Sequence, residues 1–410
     1  MGYLALLRLP FITRLLAGSL VGRLPGGMSI LMIPLALRRS GLDYGFVGLA
    51  SGALAVSAAV GGPVLGRLVD RVGQVTVLVP AAAASGLGFV ILASAPGDRA
   101  AVLVGVVLAG AAAPPLEPCI RILWPSLVPT DRLPSAYALD SAAQELIFVS
   151  GPLVVAGCVA WASPAAALWL GAGLGAVGVL VVATARPVRH WRPEPREAHW
   201  LGPLRSPGLV VLLTSLIGLG VAIGTLNVFL VDYAEHHPFP GGAGSMMAIN
   251  AFGSLLGALA YGARRWRGSG PNQLLALRLG LGLSYALLLF VPAPPLMVAV
   301  MVASGLCFAP SLTVLFMLTG ELAPAGTATE AFAWLITLFS VGAATGSAIT
   351  GFVVDHAGLG TAAVTAVAGV GAAVLIQLAG RRFLAEDRTL PAAMLGQIEE
   401  ALRLGGVSDE

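Results

Sequence analysis

The most constraining feature of this sequence is a series of apolar runs, each long enough to cross a lipid bilayer. A helix needs about 20 residues to span the roughly 30 Å of hydrocarbon in a membrane. Because backbone groups in lipid must find hydrogen bonds inside the protein, and a run of this length can satisfy its own as a helix, the runs predict helices and not strands. The sequence therefore predicts an all-α membrane protein with twelve transmembrane helices, numbered here spans 1 to 12. The runs cover residues 11–37, 44–68, 74–95, 100–124, 135–161, 164–185, 207–231, 243–264, 272–291, 295–319, 328–353 and 360–381.

Composition indicates that lipid is the main solvent of the folded chain. Of the 410 residues, 57% are hydrophobic and 10% are charged, whereas soluble domains carry roughly a quarter charged residues. The formal net charge of +3 is too small to suggest a nucleic-acid partner. Every basic residue is arginine, which is typical of GC-rich bacterial genomes. We therefore expect a multi-pass protein of the bacterial inner (plasma) membrane.

Proline and aromatic residues recur along the chain at one fixed spacing. Pro115 reappears as Pro310, and Tyr137 between two alanines reappears as Phe332 between two alanines, each 195 positions later (310 − 115 = 195). Adding 195 to any of the first six runs gives the position of a later run. A duplicated apolar unit predicts two pseudo-symmetric six-helix bundles, an arrangement typical of transporters.

The arginines indicate the orientation of the chain. Only Arg38, Arg39 and Arg99 lie at one set of helix ends, while most others lie at the opposite set, which we call the arginine-rich face. Because cytoplasmic loops carry an excess of basic residues, both termini are predicted to be cytoplasmic. The arginine-rich face contains Arg67, Arg71, Arg132, Arg186, Arg189, Arg192, Arg196, Arg205, Arg264, Arg265, Arg267, Arg381 and Arg382.

Polar segments suggest how the chain is divided. An N-terminal bundle is predicted over residues 1–185 and a C-terminal bundle over residues 207–383. Residues 186–206 are charged and rich in proline, so they cannot bury themselves and predict a cytoplasmic linker between two bundles that move relative to each other. Residues 384–410 predict a polar cytoplasmic tail with a weakly amphipathic stretch at 394–404.

A short charged motif joins spans 2 and 3. It reads G-x-x-x-D-R-x-G and consists of Gly66, Asp70, Arg71 and Gly73. With twelve spans in two repeats, this motif resembles that of the major facilitator superfamily, and the likeness covers the whole chain. The resemblance implies that the motif is a conformational latch, in which Asp70 holds the cytoplasmic ends of the two halves together near the start of span 11. A helix N-terminus does favour a carboxylate, by about 0.3–1 kcal/mol.

The motif has a simpler interpretation and one departure from the family. An ordinary Asp-Arg turn on a solvated loop would give the same letters. The family signature continues with two basic residues, where this chain has Gln74 and Val75.

A Gly-Pro pair in span 5 bears on the direction of transport. Gly151 and Pro152 resemble an element seen in exporters of this superfamily, where they would act as a hinge in the helix. The alternative is a structural kink, because such a pair loosens any helix. Span 4 lacks the arginine that drug–proton antiporters of this family often carry before the position of Gly110, since Val106 and Val107 stand there.

Five of the charged residues inside the predicted spans of the first half are candidates for a function: Arg23, Glu117, Arg121, Asp140 and Glu145. A charged side chain at bilayer depth costs at least about 2.5 kcal/mol, so each must face a cavity or a partner. One hypothesis is that Arg23, Glu117 and Glu145 line a central cavity and that one carboxylate, preferably Glu117, exchanges a proton during transport. The alternative is that the pairs Arg23–Glu145 and Arg121–Asp140 hold the bundle together.

Three weaker signals concern helix ends and interruptions. Span 1 is predicted to be interrupted at Pro25-Gly26-Gly27 near mid-depth, which would free backbone groups to meet a substrate or else serve packing. Thr327 and Glu330 predict a capping box at the start of span 11. Asn227 on span 7 is a candidate polar contact in the second half.

The sequence as a whole predicts a secondary active transporter, by analogy with the resembled family. The leading interpretation is proton-coupled efflux of a small, partly apolar compound by alternating access, with protons as a second partner. The alternative is uptake or facilitated exchange of an anionic metabolite, which Arg23 in the cavity would favour. An enzyme is not expected, because the chain has no HExxH, GxSxG or cysteine pair. No cofactor or metal is expected, and a monomer suffices for this mechanism.

Overall fold

The computed structural model describes residues 3–195, 199–264 and 266–386. Within these residues, twelve helices are long and apolar enough to cross a membrane, and no strand is present, so the predicted fold class is confirmed. The spans are Ile12–Arg39, Tyr44–Val72, Gln74–Ser94, Arg99–Arg121, Thr130–Trp161, Pro164–Ala183, Pro207–His236, Gly242–Ala263, Gly270–Phe290, Pro294–Leu322, Ala328–Ala357 and Leu359–Ala379.

The helices pack as two copies of one arrangement. In the first half, span 1 packs on spans 5 and 6, span 2 on span 4, and span 3 on spans 4 and 6. Adding six to each number gives the main contacts of the second half. The two halves meet mainly where span 2 packs on span 11 and where span 5 packs on spans 8 and 10. The halves are therefore pseudo-symmetric, with spans 2, 5, 8, 10 and 11 at their interface.

Two glycines show the repeat at the level of single residues. Gly73 follows span 2 with φ 97°, and Gly268 follows span 8 with φ 99°. Residues with a side chain rarely adopt this left-handed region, whereas glycine does so without a steric penalty. The two positions are 195 residues apart, so the same backbone conformation recurs at equivalent positions, between spans 2 and 3 and between spans 8 and 9.

Span 4 is broken, whereas its counterpart span 10 is not. Span 4 runs as a helix from Arg99 to Ala111, is interrupted, and resumes from Leu116 to Arg121. The interruption contains Pro114 and Pro115, and adjacent prolines remove two backbone donors and disfavour helical geometry in the residue before each. In its interior, span 10 carries only Pro310, since alanine stands in place of the other proline, and the helix remains continuous from Pro294 to Leu322.

The predicted interruption of span 1 is wrong. The helix continues through Pro25 from Ile12 to Arg39. Gly27 serves packing, because a Cβ there would lie 2.6 Å from the carbonyl oxygen of Ile147 on span 5. Gly151 lies on the other side of the same contact, since a Cβ there would lie 2.6 Å from the carbonyl carbon of Gly27. The Gly151-Pro152 pair therefore packs against span 1 of its own half, within the continuous helix Leu133–Trp161.

Two short helical segments of the linker lie at the arginine-rich face. They are a short helix, Arg186–His190, which contacts spans 3 and 6, and a single turn, Gly202–Arg205. Span 7 then begins at Pro207, where the Ser206 hydroxyl accepts a hydrogen bond from the Leu209 amide. A short helix, Arg381–Glu386, follows span 12. The predicted amphipathic stretch at 394–404 lies outside the described residues.

Candidate functional site at the interface of the two halves

Asp70 lies at the end of span 2 and caps a helix of the other half. Its Oδ1 accepts a hydrogen bond from the amide of Thr329 (3.1 Å) and its Oδ2 accepts one from the amide of Glu330 (2.9 Å). The side chain is 3% exposed. The first amides of a helix have no partner within the helix, and the helix dipole favours a negative charge there. The carboxylate thus supplies the cap that span 11 lacks.

An ion pair reinforces this contact. The Arg67 guanidinium donates to both carboxylate oxygens of Glu330, from Nε at 2.9 Å and from Nη2 at 2.7 Å. The same Nη2 donates to the carbonyl oxygen of Trp200 in the linker. Gly66 lets the backbones approach, because a Cβ there would lie 3.0 Å from the Glu330 Cα. We call Arg67, Asp70, Thr329 and Glu330 the latch.

The other two motif residues lie beside the latch and not in it. Arg71 is exposed, and no hydrogen bond or ion pair joins it to the residues described. Gly73 forms the turn that ends span 2. The Asp-Arg step of the motif therefore contributes its aspartate, while the arginine that binds span 11 is Arg67, one turn earlier on the same helix.

The predicted capping box of span 11 is not formed. The Thr327 hydroxyl donates to the carbonyl oxygen of Pro324, and no side chain of this helix caps its own N-terminus. Glu330 instead extends toward Arg67. The local pattern correctly located the start of the helix. The partners of the Glu330 amide and carboxylate, however, are Asp70 and Arg67, which lie 260 and 263 residues earlier in the chain.

Four charged residues form a closed ring within the first half. Arg23 on span 1 contacts Glu117 (Nη2 to Oε2, 2.6 Å) and Asp140 (Nη1 to Oδ1, 3.5 Å). Arg121 contacts Glu117 through Nη2 and Asp140 through Nε, the latter at 2.7 Å to Oδ2. Each cation thus touches both anions, and the formal charges cancel. We call Arg23, Glu117, Arg121 and Asp140 the charge cluster.

The break in span 4 helps to position the charge cluster. Glu117 and Arg121 both lie on the short helix after Pro115, one turn apart, so their side chains lie on one face. Arg121 is fully buried and Asp140 is 1% exposed, whereas Arg23 and Glu117 are 10% and 16% exposed. Of the two pairs in the alternative hypothesis, Arg121–Asp140 is present, but Arg23 contacts Glu117 and Asp140 and not Glu145.

Aromatic residues of the second half cover the charge cluster. The Arg121 guanidinium carbon lies 3.4 Å from the centre of the Phe316 ring and 5.8 Å from that of Phe332. An arginine over an aromatic face is attracted by the ring quadrupole, by up to about 2 kcal/mol when desolvated. Phe316 is the counterpart of Arg121 at the 195-residue offset, so this contact lies at the pseudo-symmetry axis.

Glu145 lies apart from the charge cluster. It is half-buried on span 5, and no hydrogen bond or ion pair joins it to the described residues. It follows Ala142 by three residues and Ser141 by four, so it lies on the same helix face as they do. That face meets the second half, where Ser141 hydrogen-bonds to Thr313 and Ala142 packs against alanines of spans 8 and 10.

Asn227 is not brought to the charge cluster. It is exposed on span 7, and no hydrogen bond joins it to another described residue. Span 7 packs mainly on spans 11 and 12 of its own half. Asn227 therefore forms no hydrogen bond with any member of the charge cluster.

A second contact between the halves mirrors the latch. The Ser135 hydroxyl on span 5 donates to the carbonyl oxygen of Gly262 on span 8. Tyr3, in the short helix Tyr3–Leu7, donates from its hydroxyl to the carbonyl oxygen of Leu259 (2.7 Å). Ser135 and Gly262 are the counterparts of Glu330 and Arg67 at the 195-residue offset. We call Tyr3, Ser135, Leu259 and Gly262 the mirror contact.

The hydrogen bonds and ion pairs between the halves extend from the arginine-rich face to mid-depth. The furthest from that face on span 2 joins the Thr337 hydroxyl to the carbonyl oxygen of Ala59. Beyond Ala59, no such bond links the halves within residues 3–195, 199–264 and 266–386. The interface is therefore bonded on one side of the membrane and lacks such bonds on the other. The same residues contain no group of side chains suited to hold a metal ion.

Comparisons with solved structures show what fold this is. The chain is similar to a bacterial homologue of the iron transporter ferroportin in an outward-facing state, with a TM-score of 0.74 and 14% identity over 91% of this chain and 100% of that one. It is also similar to the human organic anion transporter MFSD10 (TETRAN), with a TM-score of 0.67 and 16% identity over 91% and 98%. At these identities the likeness concerns the fold alone.

Sequence comparisons identify the family. An uncharacterised MFS-type transporter, y4rN of Sinorhizobium fredii (strain NBRC 101917 / NGR234), is 32% identical over 174 residues. The match spans 41% of this chain and 42% of that relative, less than half of its length. The profile of the Major Facilitator Superfamily matches residues 15–277, well over half of the chain. The chain therefore belongs to the Major Facilitator Superfamily.

Proposed function

We propose that this chain is a secondary transporter that works by alternating access, in which one half rocks against the other around a central path. The pseudo-symmetric packing of the halves supports this, as does the restriction of their bonds to one side of the membrane. In the proposal the arginine-rich face is cytoplasmic, and both termini lie on that side. The conformation described above is then the one that is closed to the cytoplasm.

The latch stabilises this closed conformation in the proposal. Asp70 caps span 11 across the interface, Gly66 allows the close approach, and Arg67 pairs with Glu330. These groups must separate and become solvated before the cytoplasmic side can open. Arg121 must likewise leave Phe316, so the charge cluster contributes to the same gate.

The activity that the site supports best is proton-coupled efflux of a small, partly apolar compound. The observation that carries this proposal is Glu145, a carboxyl group on the face of span 5 that meets the second half and without an ionic partner among the described residues. A carboxyl group that no fixed cation neutralises can exchange a proton or a substrate as its access changes sides. The mostly apolar helix faces around it suit a partly apolar compound.

Glu117 suits this role less well than Glu145. Its two oxygens contact the guanidinium groups of Arg23 and Arg121, one each. Removing or neutralising one member of such a buried network leaves the others uncompensated. We therefore assign the proton-exchanging role to Glu145 and a gating and structural role to the charge cluster.

Uptake or exchange of an anionic metabolite is the alternative activity. In this alternative, Arg23 would be a free cation in the cavity and would bind the anionic substrate. Arg23 already contacts two carboxylates, which supports a neutral or cationic substrate in this conformation.

Reconstitution into liposomes tests the proposal. The vesicles contain a pH-sensitive dye and a transport probe, chosen as the compound that most raises thermal stability in a screen of apolar and anionic small molecules. An imposed proton gradient should drive proton influx coupled to loss of the probe. Glu145→Gln should abolish this coupling, because an amide cannot carry the proton, while the purified variant keeps its unfolding temperature.

The matched control is Glu235→Gln, the same chemical change at an exposed position near the end of span 7. This variant should couple protons to the probe as the natural protein does. Transport that is indifferent to the proton gradient would overturn proton coupling. Normal coupling in Glu145→Gln would overturn the assignment of Glu145, and selection of an anionic probe that moves inward would favour the alternative activity.

A further inference from the structure

A buried cation in the second half has no anionic partner in the described part of the chain. Arg278 on span 9 is fully buried, near the arginine-rich face. Its guanidinium donates to the Ser215 hydroxyl (2.9 Å), the Gln377 side-chain oxygen (2.9 Å) and the carbonyl oxygen of Ala373 (3.3 Å). All three acceptors are uncharged. A buried charge is usually paired, so this positive charge calls for an anion nearby.

Gln377 connects this cation to a groove on the outside of the bundle. Its side-chain oxygen accepts from Arg278, and its Nε2 donates to the carbonyl oxygen of Pro271 at the start of span 9. Gln377 also lines a shallow groove between the ends of spans 9 and 12, together with Asn272, Leu275, Leu378 and Arg381. The buried positive charge of Arg278 therefore lies on the interior side of Gln377, and the groove lies on its outer side.

Arg381 adds a second positive charge at the mouth of the groove. Its Nη2 donates to the side-chain oxygen of Asn272 (3.1 Å), and it forms no ion pair within the described residues. Leu378, which is 45% exposed, continues the groove toward the apolar surface of span 12. The groove thus has a cationic, hydrogen-bonding end at the level of the membrane surface and an apolar end toward the membrane interior.

The first half lacks the buried polar part of this arrangement, although Arg186 is the counterpart of Arg381 at the 195-residue offset. The positions 195 residues before Asn272, Arg278 and Gln377 are Val77, Ala83 and Val182. The packing of spans 3 and 6 therefore needs no buried cation, although it is built on the same plan. The shared fold therefore does not account for the buried polar groups in the second half, whereas a ligand would.

We propose that the groove between spans 9 and 12 binds the phosphate headgroup of an anionic phospholipid, with an acyl chain lying along Leu275 and Leu378. Arg381 and Asn272 meet the headgroup, while Arg278 supplies charge from behind through Gln377. Basic pockets between helices near the cytoplasmic surface are suited to anionic headgroups. The lipid adds the negative charge that the described residues do not provide, and its chain covers the apolar end of the groove.

The test measures lipid binding to the delipidated full-length protein by native mass spectrometry, with phosphatidylglycerol as the anionic lipid and phosphatidylcholine as the zwitterionic one. The natural protein should bind phosphatidylglycerol in preference. Arg381→Gln should weaken this binding about fivefold, which corresponds to about 1 kcal/mol for one arginine near an anionic headgroup. Unfolding temperatures in phosphatidylcholine should be unchanged, since Arg381 is exposed.

Arg382→Gln is the matched control, because it removes the same charge from the neighbouring exposed residue, which does not line the groove. It should bind phosphatidylglycerol as the natural protein does. Equal losses in both variants would overturn the proposal in favour of general surface charge. Equal binding of the two lipids would also overturn it, as would competition by millimolar inorganic phosphate, which would indicate a site for the free anion.

Discussion

The latch and the mirror contact close the same face of the protein with different chemistry. They occupy equivalent positions of the repeat, so that Arg67 corresponds to Gly262 and Glu330 to Ser135. At the latch, a capping carboxylate and a bidentate ion pair join spans 2 and 11. At the mirror contact, hydroxyl groups donate to backbone carbonyl oxygens of span 8.

The repeat thus places both contacts at equivalent positions without making them equal in energy. Hydrogen bonds to charged groups contribute about 1.5–3 kcal/mol, against about 0.5–1.5 kcal/mol for neutral ones. Opening the face must therefore cost more at spans 2 and 11 than at spans 5 and 8. The same asymmetry extends inward, where the charge cluster of the first half faces Phe316 and Phe332 of the second.

The largest effect is expected from the charge cluster, where the two halves differ most. Asp140→Asn leaves the guanidinium groups of Arg23 and Arg121 with a single carboxylate between them. Removing one partner of a buried ion pair costs about 3–5 kcal/mol, so the unfolding temperature of the purified protein should fall sharply. Glu145→Gln on the same helix is the matched control and should change stability by less than about 1 kcal/mol. If Asp140→Asn lowers stability no more than Glu145→Gln does, the ring of ion pairs does not stabilise the fold.

The next effect is expected at the cap of span 11. Asp70→Ala leaves the amides of Thr329 and Glu330 without their acceptor, which should cost about 2 kcal/mol of the closed conformation. Hydrogen–deuterium exchange in the first turn of span 11 should then become roughly 30-fold faster, since about 1.4 kcal/mol is a factor of ten. Ser135→Ala, at the mirror contact, should leave exchange in span 11 unchanged. Unchanged protection in Asp70→Ala would mean that the carboxylate does not cap the helix.

A smaller effect is expected from the ion pair of the latch. The Arg67 side chain is 31% exposed, so solvent screens its interaction with Glu330. A double-mutant cycle with Arg67→Gln and Glu330→Gln should give a coupling free energy of about 1 kcal/mol in thermal unfolding. Strict additivity of the two substitutions would show that the ion pair adds no stability, so that the latch and the mirror contact would differ less in energy than proposed.

The smallest effect is expected from Arg71, although it belongs to the sequence motif. Its side chain is exposed and bonds to no other described residue. Arg71→Gln should therefore change the unfolding free energy by less than about 0.5 kcal/mol, and span 11 should keep its exchange protection. A loss as large as that of Arg67→Gln would show that the motif arginine carries the latch after all.

Periodicity and composition predicted most of the fold. Each run of about 20 apolar residues became a span, and the repeat predicted the pseudo-symmetry, because lipid allows few alternatives to the membrane-spanning helix. The break in span 4 was not predicted, because hydropathy does not register that Pro114 and Pro115 lack backbone N–H donors. Those two prolines were nevertheless a readable signal, as the counterpart pair in span 10 contains only Pro310.

The site was predictable only in part. The motif indicated Asp70, and the cost of burying charge indicated all members of the charge cluster. Of their pairs, Arg121–Asp140 was predicted. The contacts of Arg23 were not predicted, because they depend on how the broken span 4 turns Glu117 toward span 1. The Arg67–Glu330 pair joins residues 263 positions apart, and the local capping signal at Thr327 pointed to a different partner.

Paired distances across the two ends of the interface test the central claim most directly. Spin labels at Arg71→Cys and Ala325→Cys report on the arginine-rich face, and labels at Gly48→Cys and His356→Cys report on the opposite face, all in a chain whose three natural cysteines are replaced. Pulsed dipolar spectroscopy should show a longer distance at the arginine-rich face and a shorter one at the opposite face when Asp70→Ala is added. Distances that stay fixed, or that lengthen together at both faces, would contradict alternating access controlled by the latch.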